Sequence, residues 1–319
     1  MPMSQNAVYG GQAVIEGVMF AGRSVHVTAV RLKNDEIRFF EVPKKEIRWV
    51  SILKKIPFVR GIVAIIEASA KGAQHLNFSA EMFAGEEESD NPAQKAPGQK
   101  KSGALGNLSI LMGVAAVGVL SFLFGKFAFT LVPTIIEQFL FQHLFENQIL
   151  HNLIEGLIKI ALLIAYIFAI SLTPMIKRLF QYHGAEHKVI SAYEAGVELT
   201  VANVQKFNTL HYRCGSSFIV FTVIVGVVVY SFFSYDNLWE RLLQRIIFLP
   251  VIIGASYEVL RFTNSLRDVP VLRYLGYPGL WLQKLTTREP DDKQVEVSIA
   301  SFQRMRELDS KYDRNGLVV

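Results

Sequence analysis

Two regimes of hydrophobic patterning divide this chain. Up to about residue 84 the apolar positions are short and periodic. After Asn107 they gather into long runs. In the first regime, 25-VHVTAVRL-32 alternates and is β-branched, which predicts a strand. Asn34-Asp35 suits a turn, and 36-EIRFFEV-42 predicts the return strand. The preceding 8-VYGGQAVIEGVMFAGR-23 is rich in Gly and reads as a tight turn entering a strand. Residues 58–83 carry apolar side chains at helical spacing together with Arg60, Glu67 and Lys71. They predict an amphipathic helix that covers the small sheet or lies on a bilayer surface. Residues 85–106 are acidic first, then rich in Pro, Gly, Gln and Lys, as in a disordered linker.

The second regime predicts membrane spans. The run 108-LSILMGVAAVGVLSFLFG-125 has no charge and anchors a first span over 108–130. Further spans are expected over 153–173, 215–235 and 246–263. Residues 131–152, with Glu137, His143, Glu146 and His151, form an interfacial or re-entrant helix between spans. The expected fold is an α-helical integral membrane protein. It has about four transmembrane helices (107–265) and a small α+β N-terminal cytoplasmic domain (1–84). A linker (85–106) and an interfacial, amphipathic C-terminal segment (266–319) complete it. In that last segment Val295, Ile299 and Phe302 share one face.

Charge chooses the orientation. The 131–152 loop has no Lys or Arg, whereas 175–214 holds Lys177, Arg178, Lys188, Lys206 and Arg213. Basic residues accumulate on the cytoplasmic side, so both termini are expected there, in a bacterial inner membrane. Arg241 and Arg245 in the 236–245 loop run against this assignment. The net charge of +5 and mean hydropathy of +0.28 fit a membrane protein with basic loops. No specific nucleic-acid motif is present. One cysteine, Cys214, excludes an intramolecular disulfide. The N-terminus lacks the pattern of a cleavable signal. No internal repeat supports a transporter.

The candidate chemistry centres on 181-QYHGAEHK-188. On a helix His183 and His187 stand at i and i+4, a spacing at which two imidazoles share one metal ion. Glu186 beside them can accept a proton from water. This is the order H-x-x-E-H, the inverted zincin motif, and the implied cofactor is a divalent metal such as zinc. The plain alternative is three polar residues on a solvated helix. Three positions compete for the third ligand: Glu258, a carboxylate within an apolar segment, and His211 and Cys214 of 211-HYRCGSSF-218. Glu258 could equally pair with Arg261, and Cys214 could be a small buried hydrophobe. Arg213 is a candidate for orienting an anionic group. The stretch 9-YGGQAVIEGVM-19 matches no phosphate-binding loop.

Together, 9-YGGQAVIEGVM-19, 183-HGAEHK-188, 211-HYRCGSSF-218, 256-SYEVLRF-262 and 285-LTTREPDD-292 resemble the uncharacterised bacterial YqhQ-like membrane family, over nearly the whole chain. Tyr212 departs from the Pro usual in that family. The resemblance implies a metal-dependent enzyme, described from its His/Glu pattern. It also implies gene neighbours in translation termination.

Two functions are therefore expected. One is a metal-dependent hydrolase at the cytoplasmic membrane face, acting on a membrane-embedded peptide or lipid-like substrate. The other is a non-enzymatic factor for membrane-protein insertion that docks a ribosome or translocon through Lys44, Lys45, Lys54 and Lys55.

Overall fold

The computed structural model describes residues 9–44, 48–90, 125 and 128–314. The Gly-rich start folds back on itself. Strands β1 (Gly10–Val14) and β2 (Gly17–Ala21) pair antiparallel, with Val14 opposite Gly17. Glu16 in the two-residue turn takes φ of 52°, the left-handed backbone such hairpins need. β3 (Val25–Arg31) and β4 (Ile37–Pro43) extend the meander in the order β1-β2-β3-β4. Four strands thus stand where the alternation predicted two. Gly10, Gly11 and Gly17 supply no side chains to alternate, so β1 and β2 left little periodic signal.

Helices follow: α1 (Arg48–Leu53), α2 (Val59–Asp90), α3 (Ala128–Phe141), α4 (Gln148–Ser171), α5 (Pro174–Glu194), α6 (Val201–Val204), α7 (Gly215–Tyr230), α8 (Leu238–Ile247) and α9 (Leu249–Ser265). A 3-10 turn (Leu272–Gly276) leads to α10 (Tyr277–Thr286) and α11 (Asp292–Arg314). α2 runs on through the acidic residues up to Asp90, into the stretch expected to be linker. Glu is a good helix former and prolongs a helix already begun. The rest of that linker and most of the span expected at 108–130 lie outside the described residues.

The described residues divide into two compact units. The first draws on Met1–Glu86, Tyr166–Thr222 and Ile253–Val319. Its sheet is covered on both faces. Val18, Phe20, Val25, Val27 and Ala29 pack against Tyr182, Ala185 and Val189 of α5 and Val295, Ile299, Phe302 and Met305 of α11. The opposite face, with Val14, Met19 and Val30, receives Phe78 of α2. Ser301 of α11 donates to the carbonyls of Val18 (2.9 Å) and Val27 (3.1 Å). Asp309 accepts the backbone N–H groups of Arg23 (2.7 Å) and Ser24 (2.9 Å) at the β2–β3 turn. Burial of several apolar side chains on each face, at about 1.5–3 kcal/mol apiece, is the main force holding these layers.

The second unit draws on Glu87–Ala165 and Val223–Ile252. Its interior holds charges. Arg241 donates to Glu137 (2.5 Å) and Glu155 (2.9 Å), and Arg245 to Glu155 (2.7 Å) and Asn152 (2.7 Å). All four ionic side chains are fully or almost fully buried. The Arg245 guanidinium also lies 3.7 Å from the centre of the Tyr230 ring.

Among the described residues α4, 24 residues long, is the one helix both long and apolar enough to cross a membrane. Leu153, Leu157, Ile164 and Phe168 leave its apolar surface exposed. α8 and α9 meet the same measure only as one segment bent by 52°. Pro250 sits in the first turn of α9, where its missing N–H costs nothing to that helix but cannot continue α8. α7 is apolar but stops at 16 residues, shorter than the expected 215–235, as its end tightens into turns at Ser231–Phe233.

Candidate metal centre

Helix α5 begins at Pro174, whose fixed φ suits a first helical position, and carries the His/Glu motif to Glu194. His183 and His187 fall on one face with ring centres 4.5 Å apart. Gly184 between them lets the chain after α10 approach. A Cβ there would overlap the carbonyl oxygen of Arg288, whose own N–H bonds to Phe180 O (2.9 Å).

That approach sets the imidazoles. His183 donates Nδ1–H to the carbonyl of Thr286 (2.8 Å), and His187 donates Nδ1–H to that of Thr209 (2.5 Å). A carbonyl can only accept, so Nε2 is the nitrogen each ring has left to offer a metal. Such outer hydrogen bonds are what fix metal-binding histidines. Both Nε2 atoms turn toward Cys214. His183 Nε2 lies 3.2 Å from Sγ, and one ligand atom from each of His183, His187 and Cys214 lies within 4.8 Å of the others.

Cys214 directly precedes α7. Its sulfur accepts from Ser216 N (3.4 Å) and lies 3.0 Å from Ser216 Oγ. Gln283 of α10, fully buried, clamps this stretch. Its Nε2 donates to His211 O (2.7 Å) and Ser217 Oγ (2.8 Å), and its Oε1 accepts from His211 N (2.8 Å). Lys188 ties the other side of the motif to Gln205 O (3.0 Å) and Glu289 (2.6 Å).

Glu186 is buried against β1. A Cβ at Gly11 would come within 2.9 Å of its Cγ and Oε1, and the Gly11 N–H bonds to its carboxylate. Burial pushes the Glu186 carboxyl above the usual range, opposed by the nearby His183 and His211. Burial also lowers His187.

Of the three competing third ligands the structure brings only Cys214 to the histidine pair. Glu258 is held elsewhere. Its carboxylate accepts from Arg60 Nε (2.7 Å) and the Phe58 N–H (3.2 Å), so the expected ligand is an ion-pair partner of α2. The expected pair with Arg261 gives way to Arg60 for the same reason. His211 stacks 5.8 Å from the His187 ring, but its Nε2 faces Glu194 (3.5 Å) and its Nδ1 accepts from Arg213 N (3.3 Å). Burial drives its pKa down to about 4. Arg213, expected to meet an anionic group, pairs with Glu194, which Arg267 also reaches (3.2 Å). Burial, then Arg267, lowers Arg213 to about 10.

Sequence reasoning missed Thr209, Thr286, Gln283 and Glu194. Only Gln283 left a signal, as a polar residue in the apolar run 279-GLWLQKL-285.

Comparison with known proteins bears on these residues. The model of a family described as protein of unknown function (DUF1385) matches residues 56–308. The chain belongs to this family. The uncharacterized protein YqhQ of Bacillus subtilis (strain 168) is 52% identical over 307 residues, covering 96% of this chain and 95% of that protein. The region matched by the family model takes in every ligand candidate, whereas Gly11, which contacts Glu186, lies outside it. No solved structure matches.

Proposed function

We propose that this protein is a membrane-anchored, zinc-dependent hydrolase with its centre at His183, His187 and Cys214. The observation that carries it is the convergence of two Nε2 atoms and one Sγ, with both Nδ1 atoms committed to backbone carbonyls. Two imidazoles and a thiolate are a zinc donor set, and His183, His187 and Cys214 would hold the ion. Bound there, zinc supplies Lewis acidity that polarises a carbonyl and makes water more acidic.

The chain's own groups do the rest. Thr209 and Thr286 hold the two rings in one tautomer. Glu186, buried and with a raised pKa, takes a proton from water and returns it to the leaving group. Gly11 N–H orients that carboxylate. Glu194 draws Arg213 away from the reacting atoms, so Arg213 shapes the 211–214 loop.

The membrane reading is four spans with both termini cytoplasmic. It is supported by the exposed apolar surface of α4. The ion pairs of Arg241 and Arg245 also support it, because they remove two cations from the one loop that opposed the charge rule. Cys214 lies one residue before the apolar α7, which favours a membrane-embedded peptide or lipid-like substrate. Of the lysines on which ribosome or translocon docking rests, Lys44 points to Gly22 O and Lys54 pairs with Glu67. Lys45 lies outside the described residues. That reading has the weaker support.

The test is metal content by mass spectrometry of detergent-purified protein beside the His183→Ala/His187→Ala variant, with circular dichroism to show that both are folded. Near-stoichiometric zinc lost in the variant is the expected result. No metal in either, after zinc is added back, overturns the proposal.

A further inference from the structure

We propose that the segment from Trp49 to Phe58 inserts its apolar side chains into the interfacial zone of a phospholipid bilayer. This uses the membrane part of the functional reading and is independent of the metal centre. Trp49 (64% exposed), Ile52 (55%), Ile56 (45%) and Phe58 (54%) all stand outward from the first unit. Trp49, Ile52 and Ile56 follow helical spacing across α1 and the turn after it, so they project as one stripe. Residues 48–58 contain no Asp or Glu, and Lys55 stands exposed among them, whereas Lys54 is paired with Glu67. Aromatic and aliphatic side chains flanked by lysine, without acids, match lipid headgroups over acyl chains. An aqueous face has no comparable use for them.

The backbone holds this stripe outward. Phe58 takes φ of 65°, a costly conformation for an aromatic residue. It is kept there by α9: its N–H bonds to Glu258 Oε1 (3.2 Å), and Arg60 pairs with the same carboxylate. Glycines permit the close fit. A Cβ at Gly254 would lie 2.8 Å from Phe58 O, and one at Gly61 would lie 2.5 Å from Tyr257 Cβ. α9 belongs to the bent apolar pair that, taken together, is long enough to cross a membrane. The stripe is therefore fixed to α9. Glu258 acts here as the anchor that positions a lipid-facing loop.

The test reads Trp49 alone, in the full chain carrying Trp239→Phe and Trp281→Phe, both exposed positions that tolerate the change. The protein is reconstituted into phosphatidylcholine/phosphatidylglycerol vesicles whose lipids carry bromine on the upper acyl chain. Insertion to about 5–10 Å below the headgroups predicts severalfold quenching by the brominated lipid. It also predicts weak quenching by aqueous iodide. Adding Ile52→Glu and Ile56→Glu reverses the pattern. Emission open to iodide and unaffected by brominated lipid overturns the proposal. So does emission shielded from both, which means a protein contact, and so does quenching that survives the glutamates. Flotation of the same protein with vesicles scores membrane anchoring separately, so loss of docking and loss of the membrane reading are distinguishable.

Discussion

Arg60 holds Glu258 through Nε–Oε1 contact of 2.7 Å, across 198 residues of sequence. A carboxylate so engaged is not available to a metal. Glu258→Gln keeps an acceptor for the Phe58 N–H and removes the charge. The pair is partly exposed, so the expected loss in chemical denaturation is small. Zinc content is expected to equal wild type. Zinc lost from a folded Glu258→Gln protein would return this residue to the ligand set.

Cys214 carries the opposite expectation. Cys214→Ser replaces a soft thiolate with a hydroxyl at nearly the same volume, and zinc affinity falls sharply while the fold persists. Competition with a chromogenic chelator reads the change. Gln283→Ala, which frees the 211–217 stretch without touching a ligand, is expected to weaken zinc by about 10–100-fold.

Glu186→Gln separates chemistry from binding. It keeps the shape that fits against Gly11 and removes the proton acceptor. If the proposed function holds, zinc is expected to stay bound and hydrolytic turnover to disappear. Retained turnover removes the general-base role.

Gly11→Ala and Gly10→Ala form a matched pair. The first places a methyl 2.7 Å from Met19 O and 2.9 Å from Glu186, whereas the second meets nothing within 4 Å. Overpacking at Gly11 is expected to cost about 1–3 kcal/mol. Gly10→Ala stays within about 0.5 kcal/mol. Thermal unfolding of the two variants side by side measures the difference.

A second histidine pair, between β3 and α2, is expected to contribute to acid sensitivity. His26 and His75 are both buried, and only His75 Nδ1 has a partner, Thr28 Oγ1 at 2.7 Å. Burial, then Lys44 and Lys71, lowers His26 to about 3, with Glu67 opposing. Burial, then Lys71, lowers His75 to about 4. Both are depressed below the ordinary 6.5, so the unfolded chain takes up protons first. Their contribution is complete above pH 6.5 and falls as pH drops toward the folded values. The steepest slope is about 1.4 kcal/mol per pH unit for each histidine. His26→Phe, which removes two unpartnered nitrogens, is expected to flatten that decline in a pH series of denaturation curves.

Legibility in the sequence followed the range of the interaction. The i, i+4 histidines were readable because one helix sets their spacing. Cys214 was readable only as one of three alternatives, because choosing it requires knowing where α7 begins relative to α5. Arg60 and Glu194 left no trace as partners, since an ion pair between distant residues has no local pattern. Thr209 and Thr286 were invisible for a different reason: they act through carbonyls, which every residue has. The glycines of β1 concealed strands, yet Gly11 is where Glu186 packs against β1 and Gly184 is where the Arg288 carbonyl meets α5.

The sheet has one face on α5 and α11, and α11 is the last helix among the described residues. Val18, Phe20 and Val27 are made early on the ribosome, but Val295, Phe302 and Met305 emerge only after every apolar run has left the exit tunnel. Until α11 is made, the part of this flank that α5 does not cover stays bare and sticky. Asp309 and Ser301 then close it like a clasp, so completion of this flank of the sheet waits on α11.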